Sequence, residues 1–143
     1  MRCEGAKVNR NGSSLKPKGD CAMSLAKRFE ELEVWQTAQD LAVRLYAFFG
    51  PDNPASRDFA FVNQIRAAVV SISNNIAEGF ECSSSREFER FLVIAKRSCG
   101  EVRSMLWLAP RLEYLHTDQA AQLRESAEVL SKRIAALIRS LND

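Results

Sequence analysis

Apolar residues recur in this chain at spacings that alternate between four and three, and they do so in four separate runs. The first is Val34, Ala38, Leu41, Leu45 and Phe48, and the second is Val62, Ile65, Val69, Ile72 and Ile76. The third is Phe88, Leu92, Ala95, Cys99, Val102, Leu106 and Ala109, and the fourth is Leu123, Ala127, Leu130, Ile134, Leu137 and Leu141. This spacing keeps one side of an α-helix apolar, whereas a half-buried strand needs strict alternation. Short links between the runs force neighbouring helices to be antiparallel. The pattern therefore predicts an all-α, up-and-down four-helix bundle with crossings near +20°.

The links carry matching stop and start signals. In "GPDNP" (50–54) Gly50 suits a left-handed helix cap, and Pro51 and Pro54 cannot continue the hydrogen-bond ladder. Gly79 is placed to cap the second helix. "SSRE" (84–87) offers a capping box between Ser84 and Glu87 at the start of the third. Pro110 is expected to break or kink that helix, and Thr117 to cap the fourth.

A chain of 143 residues is enough for one core and needs no metal or disulfide to hold it. The bundle domain is expected over 29–143, after a disordered basic extension over 1–28. Met23 offers an alternative start that would leave the residues before it non-native. Residues 1–28 hold seven Lys and Arg against two acids, whereas 29–143 hold thirteen against sixteen. The folded part is mildly acidic, so only a local basic patch could serve nucleic-acid binding.

Chemistry is sparse. The cysteines Cys3, Cys21, Cys82 and Cys99 form no C-x-x-C pair, which fits a reduced, cytoplasmic protein. A single histidine, His116, excludes motifs that need two, so neither a metal nor another cofactor is expected. No glycine-rich phosphate loop occurs, and acid pairs such as Glu87/Glu89 suit the start of a helix. No catalytic residues are assigned, and the protein is expected not to be an enzyme. No apolar run approaches the roughly 18 residues that a membrane span requires.

Some residues do not fit a single core. Ile94, Met105 and Leu108 lie far round the third helix from its stripe, with Ser98 and Glu101 interleaved. Trp35, Ala42 and Tyr46 likewise widen the apolar side of the first helix. Exposed contiguous apolar residues mark association, so Ile94, Ser98, Glu101, Met105 and Leu108 are assigned to contact with a neighbouring copy. On the second helix Gln64, Ser71, Asn75 and Glu78 could face Ser98 and Glu101 as a buried network, or form a wet surface. Arg86, Arg90 and Arg97 lie opposite the third stripe, with Lys96 and Arg103 on its flank. Interleaved Glu87, Glu89 and Glu101 would make that face a salt-bridged one.

"FEELEVWQTAQDLA" (29–42), "QIRAAVVSISNNIAEGF" (64–80), "EFERFLVIAKRSCGEV" (87–102) and "LEYL" (112–115) together resemble a known family. It comprises the four-helix bundle proteins encoded by intervening sequences in bacterial 23S rRNA genes. Its superfamily is similar to the accessory variability proteins of diversity-generating retroelements. The most specific part is Ile76-Ala77-Glu78-Gly79 followed by Phe88, Phe91, Leu92, Ala95 and Lys96. Two departures stand out: the family usually has proline at the position of Ser73, and its third helix rarely meets a proline such as Pro110. The resemblance implies a homopentameric barrel of bundles. In the retroelement branch it also implies binding of nucleic acid and of a reverse transcriptase. Its matching basic positions are Arg66, Lys96, Arg97 and Arg103, while Trp35, Asn75, Glu78 and Gly79 match as structural positions. The expected function is weak, sequence-independent binding of RNA or DNA by an oligomer. The alternative is a protein-only adaptor, bound to its own copies or to a reverse-transcriptase-like partner.

Overall fold

The computed structural model describes residues 26–143. Most of the expected basic extension therefore lies outside the described residues, although Ala26 is already buried in the core. Four α-helices follow one another: α1 (Glu33–Phe48), α2 (Phe59–Glu81), α3 (Ser85–Arg111) and α4 (Thr117–Leu141). Short 3-10 turns at Phe29–Glu31 and Pro54–Arg57 precede α1 and α2. Among the described residues there is no strand. Each helix packs on the next, and α1 closes against α4 more loosely than the other pairs. An ion pair from Arg133 to Glu33 (2.7 Å) and a hydrogen bond from Arg44 to Ser126 (2.8 Å) span that last seam.

The predicted stripes form the core. All seven stripe residues of α3 and all five of α2 are buried, as are Leu123, Ala127, Leu130, Ile134 and Leu137 of α4. At the end of α1 the structure differs, because Phe49, not Phe48, is the fully buried ring. Gly50 does not adopt the left-handed conformation. It is not needed, since side chains serve the last carbonyls of α1: Asn53 donates to the Phe48 oxygen and Arg66 to the Phe49 oxygen, both at 2.8 Å.

Gly79 is likewise no cap. It lies inside α2, which ends at Glu81, and is buried against α3. Ser84 caps α3 by accepting from the Glu87 backbone N–H at 3.2 Å, one half of the expected capping box. The fourth helix is capped by His116, not Thr117, which is its first residue. Here the Gln119 side chain accepts from the His116 N–H at 3.2 Å.

Pro110 sits in the last turn of α3 and does not break the helix early. The helix ends in a Schellman arrangement, with Glu113 N–H donating to the Pro110 oxygen (3.0 Å) and Tyr114 N–H to the Ala109 oxygen (2.9 Å). Glu113 takes the left-handed conformation that this ending requires, at φ 62°. The Tyr114 hydroxyl then donates to Asp58 Oδ2 at 2.8 Å, and Asn53 donates to the Tyr114 carbonyl at 2.8 Å. These bonds tie the α3–α4 turn to the α1–α2 link at one end of the bundle. The Phe61 N–H and the Tyr114 hydroxyl hold the Asp58 carboxyl below its ordinary range, and the same bond holds the Tyr114 phenol above its own.

Candidate nucleic-acid interface

The polar stripe of α2 meets α3 as a network. Ser71 and Ser98 share a hydrogen bond between their hydroxyls at 2.9 Å, and Asn75 donates to the Ser71 hydroxyl (2.9 Å) and carbonyl (2.7 Å). Gln64 donates to the Glu101 carboxylate beside them. Glu78 is exposed, and its carbonyl accepts from the Cys82 thiol at 3.4 Å. Ser98 is therefore buried within its own chain. Met105 also packs partly against the core, whereas Ile94 and Leu108 stay exposed, as does Leu112 one turn further on.

On the other side of α2, Trp35 and Ala42 are partly buried against the core, and Trp35 meets Phe29 at a tilt of 60° with 5.4 Å between ring centroids. Ser73 is buried opposite Gln39, which donates to its hydroxyl at 3.1 Å. Arg66 belongs to the same groove. Its guanidinium lies 4.7 Å from the Tyr46 ring centroid as well as bonding to Phe49, so the fold already employs it.

The remaining basic residues of α3 are free for other uses. Among the described residues, Lys96, Arg97, Arg103 and Arg111 form no ion pair with a carboxylate. The salt-bridged face expected from the interleaved acids is not formed, and Glu101 instead accepts from Gln64. Lys96, Arg97 and Arg111 are exposed and Arg103 is half-buried. At 100° per residue, Lys96, Arg103 and Trp107 lie within about 40° of one another on the flank of α3 next to α4, Arg111 lies about 40° beyond Trp107, and Arg97 about 40° further still, pointing away from the bundle.

From α4, Arg124 joins this strip. Its guanidinium lies 3.6 Å from the Trp107 ring centroid, and Nη1 donates to the Leu106 carbonyl at 3.2 Å. Glu128, one turn beyond Arg124 on α4, pairs with Lys132 at 3.6 Å. Beneath the strip, burial pushes the Cys99 thiol up to about 12, against the opposing pull of Arg103 and Lys96. The strip was only half visible in sequence. Lys96 and Arg103 could be placed on one flank, but the contributions of Trp107, Arg111 and Arg124 appear once α4 is packed alongside.

Elsewhere, an open cleft of about 830 Å³ lies where the α1–α2 link meets the α3–α4 turn, lined by Asp52, Asn53, Glu113 and His116 among others. Among the described residues no group of three or more His, Cys, Asp or Glu could hold a metal ion. No helix among them is long and apolar enough to cross a membrane.

A crystal structure from Bacteroides thetaiotaomicron, described as a protein with unknown function from the S23 ribosomal protein family, is similar to this chain. The TM-score is 0.67 at 26% identity, and the match covers 74% of this chain and 98% of that one. No protein of curated function matches. The family model described as 23S rRNA-intervening sequence protein matches residues 30–136, nearly the whole bundle. The chain therefore belongs to the 23S rRNA-intervening sequence protein family.

Proposed function

We propose that this bundle is a non-enzymatic protein that binds RNA or DNA through phosphate contacts along the α3–α4 strip, without reading sequence. One observation carries the reading: Lys96, Arg103 and Arg111 run along α3 beside Trp107, and no carboxylate among the described residues pairs with them, while Arg124 adds positive charge there although Leu106 and Trp107 already hold it. Phosphate contacts of this kind hold a strand in register but do not distinguish bases. Three free cations make a weak site. In the homopentameric ring that we further propose, each would be repeated five times and the site would become multivalent.

Binding of duplex DNA and of structured RNA should be measured over a range of salt. Log affinity should fall linearly with log salt, at about −0.9 per duplex phosphate neutralised. Replacing Lys96, Arg103 and Arg111 by Gln should flatten that slope and weaken all sequences alike. Absence of binding at low salt would refute the proposal, as would binding that ignores the triple substitution. The second reading, a protein-only adaptor for its own copies or a reverse-transcriptase-like partner, draws its support from the exposed Ile94, Leu108 and Leu112 on the opposite flank of α3.

A further inference from the structure

The setting of Trp107 traces back to Pro110. A proline has no backbone N–H, so at position 110 it leaves the Leu106 carbonyl without its partner four residues on. Arg124 fills the gap by donating from Nη1 at 3.2 Å, and this brings its guanidinium to 3.6 Å from the Trp107 ring centroid. One face of the indole is thus covered by a fixed cation. The residue nevertheless remains 64% exposed, so its opposite face and edge are open.

A ring held in this way is a poor core residue, but it is a rigid surface for stacking. Its surroundings suit a phosphate strand. Arg103 and Arg111 stand four residues to either side, about 6 Å along the helix in each direction. Lys96 extends the positive charge, and a side chain at Gly100 would meet nothing within 4 Å, so the strip is unobstructed there. Cations flanking an aromatic face are what a strand with unpaired bases requires, since every base has a π-face and every linkage a phosphate. A duplex keeps its bases stacked on one another and cannot use the ring.

We infer that Trp107 is a stacking platform for an unpaired base, and that the α3–α4 strip takes single-stranded nucleic acid in preference to duplex. This rests on the phosphate-binding reading above and adds the class of strand.

The test uses the full chain throughout, so that the basic N-terminal residues contribute equally to every measurement. Fluorescence anisotropy would compare labelled oligo(dT) and oligo(U) with a duplex of equal length at one salt concentration. The parent should bind both single strands more tightly than the duplex. Trp107→Leu should weaken single-strand binding about tenfold or more while leaving duplex binding within about twofold, whereas Trp107→Phe should retain most of the affinity. In a Trp35→Phe background, Trp107 is the only tryptophan, and oligo(dT) should quench its fluorescence. Circular dichroism should show unchanged helicity in each variant. The inference is overturned if Trp107→Leu changes neither ligand or weakens both equally, or if no quenching occurs. If the Lys96, Arg103 and Arg111 triple variant loses both ligands while Trp107→Leu loses neither, stacking is refuted and the phosphate-binding reading stands. A parent that binds no nucleic acid refutes both.

Discussion

A Cβ placed on Gly79 would lie 2.6 Å from the Phe91 Cβ, so α2 and α3 approach as closely at this point as a missing side chain permits. The same added atom would be 2.9 Å from a Phe88 ring carbon and 3.3 Å from the Phe88 carbonyl oxygen. Two of these three neighbours are fixed to the backbone of α3 and cannot swing aside. Nothing surrounds the corresponding position at Gly100, on the exposed side of α3.

These two glycines should therefore respond to alanine with opposite signs. Within a helix, Gly→Ala gains about 1 kcal/mol from backbone entropy. At Gly100 that gain stands alone, and the variant should be more stable by about 0.5–1 kcal/mol. At Gly79 the helices must separate, and overpacking costs about 1–3 kcal/mol, occasionally more. Gly79→Ala should therefore be destabilised or at best neutral. Urea unfolding of both variants checks the pair, and stabilisation of Gly79→Ala comparable to that of Gly100→Ala would contradict the close approach.

The same glycine shows where sequence reading stopped. The stripes were legible because burial repeats with the helical period, and a run of seven positions such as Phe88 to Ala109 leaves little freedom in phase. Helix ends were less so. Gly50, Gly79 and Thr117 each carry a residue type suited to a cap, yet the ends are served by Asn53, Arg66 and His116 through contacts that depend on which chain segments meet. The off-stripe residues of α3 divided for a similar reason. Angle alone cannot separate the flank that touches α2, where Ser98 and Met105 lie, from the rim beyond it, where Ile94 and Leu108 lie. The pairing of Trp107 with Arg124 joins residues from two helices, and Pro110 was its only local sign.

Cys99 yields a prediction in alkaline solution. Its thiol is buried on the α3 stripe and pushed up to about 12, above the 9.0 of a free thiol. Below pH 9 both the folded and unfolded chains keep this proton. Between 9.0 and about 12 the unfolded chain loses it first, so the unfolded state binds fewer protons and stability falls as pH rises. Cys99→Ala should lose less stability than the parent between pH 8.5 and about 11, whatever its starting value. Urea midpoints across that range measure the difference, and parallel decline of the two proteins would show that Cys99 is not the source. In the folded protein at pH 8, alkylation followed by peptide mapping should mark the half-buried Cys82 and spare Cys99.

The last prediction concerns self-association through the rim of α3. Ile94, Leu108 and Leu112 are 42%, 43% and 42% exposed, and the seven-residue interval between Ile94, Glu101 and Leu108 aligns them along one edge. Glu101 is engaged by Gln64 of its own chain, which leaves the apolar residues as the unsatisfied part of that edge. Met105 is unsuitable for a test because it packs against its own core, so a charge there would disturb the fold. Ile94→Arg combined with Leu108→Glu changes exposed positions only and should preserve helicity and the melting transition. If the rim joins neighbouring copies, burying the new charges without partners would be costly, and the mass measured by light scattering should drop. Native mass spectrometry of the parent should show a closed ring, with five subunits expected. A parent that is monomeric at micromolar concentration would exclude the shared rim, and so would a double variant of unchanged mass.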